Sequence, residues 1–254
     1  MAVDEAILEA VGQGRALPTL RLYAWDPPCL SLGFAQPVKD VDRAALKQFG
    51  WELVRRPTGG RAILHTDELT YSVIASHHEP LMEGGVLASY FRISRALQNA
   101  LERLGLPARA DKEYGLPEGA QTNGAVCFEV PSNYEITVDG KKLVGSAQAR
   151  RKEGVLQHGS LPLYGDLTRI TRGLAFADEA ARQKAADRLL AHAANAEMLG
   201  CMLTWQESAD AFVKAFTETL GFVFFEQPLT PGELQRAEAL IAEKYAHPSW
   251  TERF

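Results

Sequence analysis

Little in this chain points to covalent staples, metals or membranes. Only three cysteines occur in 254 residues, Cys29, Cys127 and Cys201. They are widely spaced and form no CxxC pair, which argues against a zinc site and a disulfide framework. The six histidines are scattered, and the adjacent His77 and His78 have no second ligand cluster in sequence, so no metal is expected. No apolar run nears the ~20 residues that a membrane span needs. Basic residues number 27 against 32 acidic ones, a net charge of −5, which removes any global bias toward nucleic acid. The opening residues carry Asp4, Glu5 and Glu9 rather than a basic run. No signal peptide is read there, and a reducing cytoplasm is the expected location. Internal repeats, low-complexity tracts and evident linkers are missing as well, so one domain over 1–254 is expected, with a helical subregion from about 178.

What is there is ordinary globular material, 46% hydrophobic and 23% charged. Residues 4–11 read as a helix, and 20–25 and 30–34 as strands on either side of Asp26-Pro27-Pro28. A short helix over 41–49 and strands over 51–55 and 62–64 follow. Residues 69–75, LTYSVIA, make the clearest strand, and 87–104 the clearest helix, stopped by Gly105. Asp139-Gly140 between 133–138 and 142–147 is the strongest hairpin signal. After a strand over 155–163, helices are expected over 178–194, 205–220 and 231–245, the last opened by Thr230-Pro231 with Glu233 at the capping-box position. Strands first and helices last predict an α+β fold, a mixed, largely antiparallel β-sheet with packed helices.

Four segments carry chemical potential. In Arg55–Arg61 (RRPTGGR), two glycines let backbone N–H groups approach a carbonyl or phosphate, and three arginines add fixed positive charge. A plain tight turn with exposed arginines fits the same residues. Lys141 and Lys142 precede Gly145-Ser146-Ala147; as strand neighbours they face opposite sides, so one can be solvated and the other aimed at a site. Cys127 follows the flexible Asn123-Gly124, and an exposed thiol near a cation is a nucleophile, whereas a buried one is inert. Cys29 and Cys201 read as inert. His158, before Gly159, is either a general base or a satisfied core residue, as is His65.

Together these segments resemble a known group. RRPTGGRAILHTDELTYSV, KKLVGSAQARRKEGVLQHGSLPL, the opening MAVDEAILEA and the strand LRLYAW resemble the signatures of the lipoate ligase, lipoyl/octanoyl transferase and biotin ligase superfamily. CFEVPSNYEITVDGKK resembles the LipM-type branch of octanoyltransferases. The resemblance implies a biotin/lipoate-protein ligase-like catalytic domain. It also implies an octanoyl-[acyl-carrier-protein]:protein N-octanoyltransferase that carries octanoyl as a thioester on Cys127, with Lys142 as the active-site lysine. Arg56, Gly59, Gly60 and Arg61 would line the acyl pocket, with His65 at its wall, and Gly145, Ser146, His158 and Gly159 from the second block. The implied partners are octanoyl-acyl carrier protein and apo lipoyl domains, those of the glycine cleavage H protein or a 2-oxoacid dehydrogenase E2. Neither cofactor nor nucleic acid nor membrane is implied, and a monomer is expected because no long apolar stripe is left over. Members usually have a strand and turn before the MAVDEA helix, so a start assigned too late or a missing sheet edge is expected.

Three rivals share parts of this pattern. The branch whose cysteine follows the GSA stretch fits poorly, since no cysteine lies between Cys127 and Cys201. An ATP-dependent lipoate–protein ligase shares both signature blocks but lacks the CFEVPS cysteine. An amidotransferase moving octanoyl between carrier domains would share everything, and a non-catalytic lipoyl-domain binding module would need an unreactive Cys127. Arg150, Arg151 and Lys152 form a local basic patch for an acidic partner domain, or simply a solvated loop.

Overall fold

The computed structural model describes residues 1–110 and 136–254. Residues 111–123, polar and rich in Gly and Pro and therefore expected from sequence to be a surface loop, and the CFEVPS motif with Cys127 lie outside the described residues. The strand Glu68–Ala75 (β5) is buried along its whole length, so both its faces are covered. Alternation along it sorts side chains into two sets. Leu69, Tyr71 and Val73 enter the main apolar core, while Glu68, Thr70 and Ser72 turn to the opposite side.

This strand is second in a six-stranded antiparallel sheet. Thr19–Tyr23 (β1) pairs on one side of it and Gly154–Pro162 (β9) on the other, followed by Lys141–Arg151 (β8), Ile136–Val138 (β7) and Arg109–Ala110 (β6). The β7–β8 hairpin turns on Asp139 (φ 51°) and Gly140 (φ 75°), the positive-φ pair that the Asp-Gly signal predicts. The apolar sheet face is covered by Gly85–Arg103 (α3) and Trp205–Leu220 (α5). Ile93, Leu97 and Leu101 of α3 meet Phe212 and Phe216 of α5 there. Each such side chain contributes about 1.5–3 kcal/mol on burial. Thr204 and Glu207 close a reciprocal capping box at the start of α5, and Thr230 and Glu233 do the same for Pro231–Leu240 (α6).

One expected sheet is in fact two. Cys29–Leu32 (β2), Glu52–Arg55 (β3) and Ile63–His65 (β4) form a separate three-stranded sheet in which β2 pairs parallel with β3 and antiparallel with β4. A parallel pair needs a crossover, and Arg43–Phe49 (α2), capped by Asp42 and closed by Gly50 in the left-handed region, supplies it. Ala2–Gly12 (α1) lies against the polar side of the large sheet, with Ile7, Leu8 and Val11 on Ile74 and Leu156. The expected helix over 231–245 is α-helical only to Leu240 and ends in a π-turn over Ile241–Tyr245.

Arg55, read from sequence as fixed charge for a ligand, is instead a structural clamp. Its guanidinium is buried and donates six hydrogen bonds to the carbonyls of Gly33, Phe34, Gln36, Trp250 and Thr251. Five converging carbonyl dipoles offset the desolvation of the charge without a carboxylate. Arg55→Met would strand those carbonyls at about 1–3 kcal/mol each before relaxation. A net loss of about 4 kcal/mol is expected, which lowers the calorimetric Tm by about 10 °C.

Candidate active site between the two sheets

The polar face of the large sheet looks toward the small sheet. The register sets Thr70 beside Ser160 and Ser72 beside His158, and across the next strand Gly145 beside Ser160 and Ala147 beside His158. From the other side β2 and β4 present Ser31, Ile63 and His65. A small cavity of about 20 Å³ lies between, and it gathers six of the sequence-predicted residues: Arg56, His65, Gly145, Ser146, His158 and Gly159. Gly159 has no room for a side chain. A Cβ there would sit 2.4 Å from the Gly145 carbonyl oxygen and 2.7 Å from both Ser146 Oγ and the Tyr71 ring. Ser146 Oγ is 2.7 Å from the Tyr71 hydroxyl, which also accepts from Gln157. Burial pushes the Tyr71 phenol up to about 12, so it stays neutral.

Lys142 reaches this face through a β-bulge. Ile136 pairs with Val144 but Thr137 with Lys142, so β8 carries one extra residue at Leu143. Leu143 and Val144 both enter the apolar core. The extra residue reverses the alternation, and Lys142, itself buried, shares the parity of Gly145 and Ala147. Lys141 donates to the Leu190 carbonyl at 2.9 Å. Of the two adjacent lysines, then, Lys142 is the one placed on the cavity side of the strand, although it does not line the cavity itself.

The glycine-arginine loop closes on itself. Arg56 donates to the carbonyls of Ser31, Gly59 and Arg61 and to Ser31 Oγ, at 2.7–3.2 Å. Its charge stiffens the loop as well as facing the cavity. Gly59 and Gly60 stand exposed at the tip, and with Arg61 they do not line the cavity. The Gly60 carbonyl oxygen would lie 1.9 Å from a Cβ on Gly33, so this approach requires glycine at 33.

The two histidines differ. Both ring nitrogens of His65 are engaged, Nδ1 with Glu68 Oε1 at 2.6 Å and Nε2 with Ser31 Oγ at 2.8 Å, and Trp25 stacks on the ring at 4.3 Å. His65 is the satisfied wall residue of the two alternatives. His158 Nε2 meets Thr58 Oγ1 at 2.6 Å, while Nδ1 has no hydrogen-bond partner among the described residues and lies 4.0 Å from Asp4 Oδ2. Burial pushes the His158 pKa down, partly opposed by Asp4, so a neutral imidazole faces the cavity.

Asp4 figures in the sequence only as one of three acids that argue against a basic leader. It is fully buried, and it accepts from Arg21 at 2.8 Å, Ser72 at 3.0 Å and Tyr23 at 3.1 Å. Burial would raise its pKa, but the terminal ammonium, His158 and Arg21 outweigh that and hold the carboxyl well below the usual range. Asp4, Ile7, Leu8 and Val11 share one helical face, a spacing that places the acid inside.

The remaining candidates disperse. Cys29 is buried, and burial pushes its thiol up to about 12, which makes it inert. Half-buried Cys201 sits 3.9 Å from the Gly105 carbonyl. The basic patch splits three ways. Arg150 donates to Met82 and Gly85 carbonyls, Arg151 to the Pro57 carbonyl, and Lys152 pairs loosely with Glu153. Among the described residues no His, Cys, Asp or Glu cluster is arranged to hold a metal ion, and no helix is long and apolar enough to cross a membrane.

Residues 1–217 match the profile of the family described as "Lipoyl protein ligase A/B catalytic domain". Octanoyltransferase LipM of Moorella thermoacetica is 44% identical, covering 100% of this chain and 93% of that relative. Octanoyltransferase LipM of Kyrpidia tusciae is 43% identical with the same coverage. Among solved structures, a putative lipoate protein ligase from T. acidophilum with bound lipoic acid superposes with a TM-score of 0.79 at 27% identity, covering 100% of this chain and 92% of that one. A lipoate-protein ligase A bound with ATP gives 0.78 at 28% identity, with 99% and 92% covered.

Proposed function

This chain belongs to the lipoyl protein ligase A/B catalytic-domain family, on its octanoyltransferase LipM branch, and from that premise we propose that it moves octanoyl from an acyl carrier protein to the lysine of an apo lipoyl domain through a thioester on Cys127. It is an acyltransferase of lipoate biosynthesis. The observation that supports the reading is the cavity that gathers Arg56, His65, His158 and Gly159 against a β8 wall of Gly145, Ser146 and Ala147, with the buried Lys142 on the same side of that strand. Residues this small leave width for an unbranched chain, and each methylene buried there contributes about 0.8 kcal/mol.

In the first step the Cys127 thiolate attacks the thioester carbonyl. The carbonyl oxygen takes the charge, and collapse expels the donor thiolate. Thioester exchange is close to thermoneutral, so no nucleotide is required. In the second step the acceptor amine attacks the thioester carbonyl, the C–S bond breaks as the amide forms, and the proton lost from nitrogen ends on the departing Cys127 sulfur; the amide product draws the reaction forward. Lys142 favours the thiolate electrostatically and orients the incoming amine. Backbone N–H groups near Gly145 and Gly59 hold the oxyanion, a contribution of about 3 kcal/mol per donor.

Intact-mass spectrometry after incubation with octanoyl-carrier protein tests this. A single hydroxylamine-labile octanoyl adduct on Cys127 is expected, discharged by an apo lipoyl domain. Free octanoate with ATP should modify nothing. Robust ATP-dependent modification would replace the transferase reading with a ligase, and adduct formation from an octanoylated lipoyl domain in preference to the carrier protein would favour an amidotransferase.

A further inference from the structure

Beyond Ile63 the cavity has a neighbour. The register sets Thr70 opposite Ser160, both on the cavity wall, and the next pair on the same face is Glu68 with Pro162. That pair lies about 7 Å further along the strands. It lines a second pocket of about 50 Å³, and Ile63 of β4 lines both spaces. The second pocket is walled by Leu64, Leu167, Ile170 and Leu189 and reaches the surface beside Tyr164 and Asp166. It sits at the Lys142 end of the sheet: the Lys142 carbonyl accepts from the Ala194 N–H and the Pro162 carbonyl from the Ala196 N–H, two residues apart in one segment.

Glu68 is buried, 6% exposed, and its two oxygens are used unequally. Oε1 meets His65 Nδ1 at 2.6 Å and accepts from Thr70 at 2.5 Å and Ser160 at 3.0 Å, three groups that line the cavity. Oε2 accepts no hydrogen bond among the described residues, and Glu68 lines the second pocket rather than the first. A buried carboxylate oxygen without a donor is costly until a donor or cation comes to it. Arg169, the cation on the same wall, is held by Asp67. The ligand that completes this pocket therefore carries a cationic donor on a thin apolar stem.

We propose that the second pocket is the port for the acceptor lysine and that Glu68 Oε2 receives its ε-ammonium. The assignment rests on the octanoyl-transfer reading. The pocket has room for about four water-sized groups, the number of methylenes in a lysine stem. The donor's phosphopantetheine arm carries an anionic phosphodiester and no cation, so it has nothing to offer this carboxylate. Glu68 takes one ammonium proton and leaves a neutral amine to attack the thioester carbonyl. The second proton leaves with the Cys127 sulfur as the C–S bond breaks, and Glu68 then returns its own to solvent.

Single-turnover kinetics on the whole chain separate the two half-reactions. In Glu68→Gln the carboxamide oxygen can still accept from His65, Thr70 and Ser160. Octanoyl capture from carrier protein should keep its wild-type rate, while discharge to an apo lipoyl domain falls about a hundredfold. Leu167→Trp, which fills the pocket from its half-buried wall, should likewise slow discharge and spare capture. A merely structural role, or a port for the donor arm, would slow capture as well. Discharge at the wild-type rate in Glu68→Gln overturns the assignment, and so does an equal loss in both half-reactions. If Glu68→Gln does not fold, Leu167→Trp decides by the same two criteria. A wild-type protein that captures no octanoyl overturns the octanoyl-transfer reading and the port with it, whereas normal capture with a discharge insensitive to both variants leaves that reading intact and removes only the port.

Discussion

Cys127→Ser is expected to abolish octanoyl capture and to lower transfer to the lipoyl domain by at least about 10⁴-fold. Sulfur is required twice. A thiol is a few per cent ionised near neutrality and is intrinsically nucleophilic, and a nearby ammonium raises the ionised fraction further. A serine hydroxyl remains protonated under the same influence, so the first attack stalls. Any ester that did form would be a dead end, because an alkoxide leaves far less readily than a thiolate when the acceptor amine attacks. Intact mass and single-turnover transfer measure the two steps separately. Full activity in this variant would end the covalent mechanism, and an adduct retained at another residue would relocate it.

Lys142→Ala is expected to lower kcat/KM by about 10³-fold, within the range usual for a group that assists proton transfer and charge placement. The fold argues that this lysine and not its neighbour matters. The extra residue at Leu143 turns Lys142 to the cavity side, while Lys141 is occupied at the Leu190 carbonyl. Lys141→Ala should therefore leave turnover within about twofold of wild type. A structural role for Lys142 would not move the ionisation of another group. Hence the diagnostic readout is the pH dependence of iodoacetamide labelling at Cys127, which should shift to higher pH in Lys142→Ala. An unaltered labelling profile together with an unaltered rate would remove Lys142 from the mechanism.

Much of the scaffold could be read from residues whose signals are local. The capping box at Thr230, the Asp139-Gly140 turn and the buried strand ending at Ala75 depend on neighbours in sequence, and they lie where those neighbours put them. The division into two sheets was not legible, because a period of two says which residues share a face but not which strand lies alongside. The bulge at Leu143 was hidden for a related reason: it is a property of the β7–β8 pairing and appears in neither strand alone. For the site, Arg56 and His65 of the first signature block and Gly145, Ser146, His158 and Gly159 of the second meet at one cavity, while Gly59, Gly60 and Arg61 lie off it and Arg55 turns away to partners at Trp250 and Thr251, some two hundred residues along the chain. Thr58 and Asp4 were passed over. Thr58 gains meaning only through His158, and Asp4 betrays itself only by keeping helical company with Ile7, Leu8 and Val11.

The large sheet is a partition with separate duties on its two sides. Leu69, Tyr71 and Val73 hold the helices, whereas Thr70, Ser160 and His158 line the cavity. A lineage exploring new acyl groups can thus rewrite one side of the wall residue by residue while the other keeps the molecule folded, so novelty in substrate need not be traded against thermal endurance.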